Sequence, residues 1–333
     1  DYVNSLLQEI HIKAPNFKDY YIETIYFGGG TPSLIEEKYI SLILAKIKKS
    51  FNTTKLKEIT IECNPENIET KKLKAYKKIG INRISLGVQT LNNQTLKRIA
   101  RPHNEKKILE ALNIIKNLKW ENFGVDLIMG LPDQTLKEFK SHLNQILKFK
   151  PAHLSAYFLS YDTKKIDIFI KDCPNEKEQL SMYKYLIQEM KEAGFNHYEV
   201  SNYALPGFES MHNLRYWNQE EYLGLGLGAH SFYNKKITEN TRNFENYLKS
   251  PFEIEDSYIL EPEVFCLDYI MLNLRKSVGI DLIKFEQLFG SSAKQELIEK
   301  AKKYKTNFQI NKNKIKIREK DWVIGDYLTQ ALF

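Results

Sequence analysis

Apolar and β-branched residues cluster in short runs near 23–28, 57–63, 83–88, 123–129, 153–159 and 197–202, and each run reads as a strand. Helix-like, lysine-studded stretches separate them at 34–50, 68–79, 104–119, 135–149 and 176–194. Gly80 and Gly194 follow two of these helices, and Pro132, Pro151 and Pro174 fall at junctions. Strand alternating with helix predicts parallel strands joined by crossover helices. The repeat alone allows a doubly wound sheet or a barrel. The polar residues favour the barrel: Glu62, Gln89 and Asp126 sit at or near C-terminal strand ends, where an α/β barrel gathers its site.

From about Pro262 the texture changes. Val264–Leu274 reads as a helix, Asp281–Phe289 and Lys294–Lys303 as two shorter ones, and Trp322–Leu332 as a last helix. Phe308–Ile310 and Lys314–Ile317 read as a small hairpin around Asn311–Asn313. Helices plus a short hairpin fit a winged-helix-like α+β module, which places a core domain at 1–250 and a C-terminal domain at 251–333.

The first strand runs into Tyr26-Phe27-Gly28-Gly29-Gly30-Thr31-Pro32-Ser33. Three glycines at a strand end leave backbone N–H and C=O groups open to a charged small molecule. By itself such a run can be only a tight loop; it is neither a Walker loop nor Gly-x-Gly-x-x-Gly. Four further phrases accompany it: Ile59-Thr60-Ile61-Glu62-Cys63-Asn64-Pro65-Glu66, Arg83-Ile84-Ser85-Leu86-Gly87-Val88-Gln89-Thr90, Gly124-Val125-Asp126-Leu127-Ile128-Met129-Gly130-Leu131-Pro132 and His153-Leu154-Ser155-Ala156-Tyr157-Phe158-Leu159-Ser160. Together they resemble the radical S-adenosylmethionine (SAM) superfamily, and within it the oxygen-independent coproporphyrinogen III oxidase-like family, over nearly the whole chain.

The resemblance implies a partial, open parallel α/β barrel of six strands with a small C-terminal winged-helix-like α+β domain. It implies that Gly28, Gly29, Gly30 and Thr31 line the methionine end of SAM, with Glu62 completing the charge of its ammonium group. Gln89 and Asp126 would bond the sugar or carboxylate region, Arg101 would pair with a carboxylate, Ser160 falls at the fifth-strand contact, and His230 approaches the same cavity. It also implies a [4Fe–4S] cluster held by Cys-x-x-x-Cys-x-x-Cys upstream of Asp1, Asp1–Leu7 resembling the first crossover helix. Cys63, Cys173 and Cys266 are too dispersed to hold a cluster, a zinc ion or a disulfide framework, so no metal ligand is assigned within these residues. Cys63 reads as packing, and His11, His142 and His153 as packing or surface residues.

A second phrase, Tyr198–Gly207 leading into Met211-His212-Asn213-Leu214-Arg215-Tyr216-Trp217, resembles the motif of the family's haem-chaperone branch. If helical, His212 and Tyr216 share a face. An imidazole ligates haem iron, Tyr216 and Trp217 pack on a porphyrin, and Asn213 belongs to the same motif. The bland alternative is a loop packed over the barrel mouth. Three functions therefore compete: a haem chaperone delivering haem to apo-haemoproteins, a coproporphyrinogen oxidase performing radical decarboxylation, and an inactive α/β scaffold. The His212 motif favours the first.

Composition narrows the rest. With 333 residues, 42% apolar, the chain can build a substantial core; no apolar run reaches the ~18–20 residues of a membrane-spanning helix, so a cytoplasmic protein is expected. The net charge of +7 is carried mainly by dispersed lysines, with only seven arginines, which argues against nucleic-acid binding. Such a surface allows weak attraction to an anionic membrane, and a homodimer is left open.

Overall fold

A computed structural model describes residues 1–160 and 170–333. Five parallel strands, Thr24–Phe27 (β1), Glu58–Cys63 (β2), Arg83–Gln89 (β3), Phe123–Met129 (β4) and His153–Phe158 (β5), lie side by side in chain order. Crossover helices at Glu37–Ser50, Thr70–Ile79, Glu105–Asn117 and Leu136–Leu147 occupy the stretches expected of them. Their ends carry local signals: Asn104 and Thr135 accept N–H bonds as N-caps, and Gly80 closes its helix at φ 100°, where a side chain would be strained. Tyr2–Lys13 forms a further helix against Glu37–Ser50. The parallel strands, buried on both faces, and these helices share one apolar core from Leu6 to Tyr203.

The sixth strand is a correction. Instead of one parallel strand at 197–202, the chain forms a hairpin of Asn196–Glu199 (β6) and Asn202–Ala204 (β7). β7 inserts between β5 and β6, antiparallel to both, so the sheet has seven strands in the order β1-β2-β3-β4-β5-β7-β6. The turn at Val200-Ser201 contains no Gly, Asn or Pro. It is closed by the Ser201 N–H, which donates to Glu199 at 3.2 Å, a contact invisible to a strand-period reading.

A three-stranded antiparallel sheet also escapes that reading: His230–Tyr233 (β8), Lys236–Asn240 (β9) and Ile254–Ile259 (β10). Asn234 and Lys235 both take positive φ (51° and 57°), which makes the β8–β9 link a tight two-residue hairpin turn. The Gly224–Gly228 run beside it is loop rather than strand.

After Pro262 a second core runs from Tyr269 to Leu332. It holds the helix Pro262–Leu274, the short strand Ile280–Asp281 (β11), the helical stretch Leu282–Lys303, and the expected hairpin Phe308–Ile310 (β12) and Lys314–Ile317 (β13). Gly290 (φ 89°, ψ 167°) breaks Leu282–Lys303 into the two helices anticipated. The final stretch is a 3₁₀ turn at Glu319–Ile324 followed by the helix Gly325–Gln330. Backbone bonds stitch the two parts together: Val200 N–H donates to Arg275 C=O, and Ser277 N–H to Tyr198 C=O, both at 3.0 Å. Among the described residues no helix is long and apolar enough to cross a membrane.

Candidate functional site

Parallel strands aim their C-terminal ends one way, and there a cavity of about 390 Å³ opens. Gly30, Thr31, Glu62, Gln89, Arg101, Asp126 and Ser160 all line it, although they come from six separate stretches of chain. Glu62, next to last in β2, is held by two donors: the Tyr26 hydroxyl at 2.8 Å on Oε1 and the Gly29 N–H at 3.2 Å on Oε2. Gly29 and Gly30 take φ of 77° and 62°, with empty space where a Cβ would project, so the strand end presents bare backbone. A Cβ on Gly28 would meet the Tyr26 ring at 2.6 Å and Glu62 Oε1 at 3.1 Å, which explains glycine there.

The remaining walls are equally polar. Asn64 Nδ2 donates to Thr31 Oγ1 at 3.2 Å, and Ser85 Oγ donates to Asp126 Oδ2 at 2.9 Å. Burial pushes the Asp126 carboxyl above its ordinary range, against the opposing hydroxyls of Ser155 and Ser85. Gln89 sits at positive φ (67°), where the β3–β4 register shifts. A turn through Ala100 (φ 55°) carries Arg101 to the cavity wall. Ser155, Tyr157 and His153 line the cavity too and were not singled out for it; their alternate positions in the fifth phrase were the available signal. Burial pushes the Tyr157 phenol up to about 12. His153, read as packing or surface, is buried and bonded through Nε2 to Tyr198 Oη at 2.7 Å.

The helix Met211–Trp217 lies against β1. Ser210 caps it, and Glu58, buried at the start of β2, accepts the N–H groups of Met211 and His212 at 3.0 Å each. Nothing local in the sequence marks Glu58 for this task. Its replacement by alanine should cost about 2 kcal/mol, since two charge-assisted bonds to otherwise unpaired N–H groups vanish. Urea denaturation checks this, and a loss below ~0.5 kcal/mol would mean that Ser210 alone anchors the helix.

So anchored, His212 stacks on Tyr26 with ring centroids 4.8 Å apart and an interplanar angle of 18°. Its Nδ1 lies 2.8 Å from Thr24 Oγ1 and its Nε2 3.2 Å from the Tyr216 hydroxyl. Burial pushes the imidazole down to about 4, so it is neutral at physiological pH. Asn213 lines the first cavity. Gly28, Gly29, Glu62, His212, Tyr216 and His230 line a second, of about 550 Å³, along β1, and Tyr26 and Glu62 form a wall common to both. His230 thus stands apart from the first cavity, its Nε2 3.3 Å from Glu239. Trp217 is brought to neither. Five residues beyond His212, it points about 140° away around the helix, and the Arg275 guanidinium lies 5.2 Å from its ring centroid. Among the described residues no three His, Cys, Asp or Glu side chains converge to hold a metal. Cys63 is buried, its thiol pushed up to about 12, in keeping with a packing role.

A parallel half-barrel whose strand ends gather a glycine edge, Glu62, Gln89 and Asp126 around one cavity defines a radical SAM protein, and residues 2–146 match the radical SAM superfamily model. The chain belongs to the HemW haem chaperone family. It is 35% identical to the haem chaperone HemW of Lactococcus lactis over 87% of this chain and 78% of that protein, and 32% identical to that of Haemophilus influenzae over 98% and 86%. In fold it is similar to the solved structure of coproporphyrinogen III oxidase HemN from Escherichia coli, a radical SAM enzyme, with a TM-score of 0.84 at 21% identity over 99% of this chain and 82% of that one.

Proposed function

We propose that this protein is a haem chaperone that binds SAM in the cavity at the strand ends and carries haem beside it at His212, passing it to apo-haemoproteins in the cytoplasm. The observation that carries the reading is Tyr26, shared by both cavities, whose hydroxyl donates to Glu62 and whose ring stacks on His212. The residues present fit SAM: Glu62 would meet its ammonium group, Gly30 and Thr31 would offer backbone, and Thr60, whose buried hydroxyl has no partner among the described residues, lines the same cavity. Family membership implies a [4Fe–4S] cluster as well, which reduces SAM when bound. Among the described residues no ligands converge to hold it, and the part these residues play is to bind and position SAM. The chaperone reading is favoured over coproporphyrinogen oxidation because relatives at 31–35% identity are haem chaperones, whereas the likeness to the oxidase rests on fold at 21%.

In the tautomer whose Nδ1–H donates to Thr24, the His212 Nε2 lone pair faces the Tyr216 hydroxyl at 3.2 Å, and haem iron would take that lone pair in place of the hydroxyl. Because the imidazole titrates near 4, ligation should persist as pH falls from 7 to about 5. The sign for folding is the matching one: His212 stabilises the fold above its unfolded value near 6.5, and this contribution is lost as pH falls toward 4.

Haem titration of wild type and His212→Ala tests the reading. About one haem per chain is expected in wild type, with a shifted Soret band or weaker binding in the variant and native circular dichroism in both. Trp217→Ala should leave the titration unchanged, because Trp217 lines neither cavity. Identical spectra and affinity in His212→Ala would remove His212 as the ligand, and robust coproporphyrinogen turnover would favour the oxidase.

A further inference from the structure

A third cavity, of about 660 Å³, lies where the β6–β7 hairpin and the end of the helix Glu176–Glu192 meet the C-terminal module. Its walls hold more donors than acceptors. Lys276 is 5% exposed, Trp322 4% and Tyr203 1%, and all three line it. Among the described residues the Tyr203 hydroxyl and the Trp322 indole N–H have no hydrogen-bond partner. The Lys276 amine donates to Asn218 Oδ1, an uncharged acceptor, and no carboxylate pairs with it among the described residues. Lys191 and Lys316 add two further amines to the lining.

The carboxylates of this cavity are already engaged. Glu319 Oε1 lies 3.0 Å from His197 Nδ1, which with nearby Lys191 and Lys316 holds its carboxyl below the usual range. Glu209 accepts the Gly207 N–H at 3.0 Å. A buried amine without a counter-charge is costly, and so are a buried O–H and N–H without acceptors. Burial, with Lys284 and Lys314 close by and only Glu220 opposing, pushes the Lys276 amine down to about 8. An occupant rich in anionic oxygen would give the Lys276 amine its counter-charge. Ile187, Phe195 and Ile317 leave apolar surface for the carbon part of such a ligand.

We propose that this cavity is a binding site for a small polyanion, a phosphate ester or polycarboxylate, held by Lys276, Lys191 and Lys316. Lys191 belongs to the helix Glu176–Glu192, whereas Lys316 belongs to the C-terminal module. One ligand therefore touches both parts, and its binding stabilises their junction. The site shares no lining residue with the SAM and haem cavities, so it stands or falls separately from them.

Calorimetry with inorganic pyrophosphate and with citrate, in parallel, tests the proposal and separates phosphate from carboxylate chemistry. Saturable binding of one of them at one site per chain is expected, accompanied by a rise in melting temperature. Lys276→Met should weaken it about tenfold or more, and exposed Lys191→Ala, which threatens the fold less, about threefold. Glu62→Ala and His212→Ala should bind the probe as wild type does. No saturable binding of either probe up to about 10 mM overturns the proposal. So does binding that is equally tight in wild type, Lys276→Met and Lys191→Ala.

Discussion

Replacing Glu62 with alanine is expected to weaken SAM binding by about 2–3 kcal/mol, roughly 30- to 150-fold in Kd. Two losses add. The ligand's ammonium group would enter a partly dry cavity with no carboxylate to meet it, and the Tyr26 hydroxyl and Gly29 N–H would lose their acceptor. Glu62→Gln should lie between, since its amide oxygen still accepts one bond but carries no charge. Tyr26→Phe removes one donor from Glu62 and keeps the ring under His212, so a loss nearer 1 kcal/mol is expected. Anaerobic calorimetry with SAM on wild type and each variant measures all three. Equal affinity in wild type and Glu62→Ala would take Glu62 out of the site.

The largest stability effect is expected at Glu9. This carboxylate is fully buried and saturated: Oε2 accepts the Gly226 N–H and the Tyr247 hydroxyl, and Oε1 accepts Asn240 Nδ2 and the Lys13 ammonium, all at 2.7 Å. Glu9→Ala leaves the buried Gly226 N–H and Tyr247 hydroxyl without this acceptor and takes the carboxylate from Lys13, which among the described residues keeps only Asn240 Oδ1, and should cost about 3–5 kcal/mol. For a chain of this size the melting temperature should fall by roughly 10 °C. The network ties the helix Tyr2–Lys13 to β9 and to the Gly224–Gly228 loop, so the variant should also loosen the wall that carries His230. A midpoint shift worth less than ~1 kcal/mol in urea would mean that water replaces the carboxylate.

Glu9 and Glu58 were both illegible in the sequence, and for the same reason. Each is a carboxylate within an ordinary helix or strand, and its partners lie up to 238 and 154 residues away along the chain. Glu62 and Gln89 were legible because a strand end is a local feature and parallel strands collect their ends at one mouth, and Asp126, midway along β4, because it is a carboxylate inside an apolar run. The haem motif was half legible. The spacing of His212 and Tyr216 predicts a common helix face, and the rings do meet at 5.1 Å. The direction of Trp217 depends on which face of that helix the barrel takes, and no spacing rule carries that information.

The alternation of strand and helix, the glycine edge after β1, the break at Gly290 and the hairpin at Asn311–Asn313 were determined by the sequence itself. They rest on periods of two and 3.6 residues and on backbone freedom, which act within a few neighbours. Only the tertiary structure decided that β7 runs antiparallel between β5 and β6, that His230 and Trp217 stand apart from the first cavity, and that Tyr26 both bonds Glu62 and stacks on His212. Those outcomes depend on burial and on hydrogen bonds between residues distant in the chain, which exist only once the elements have packed.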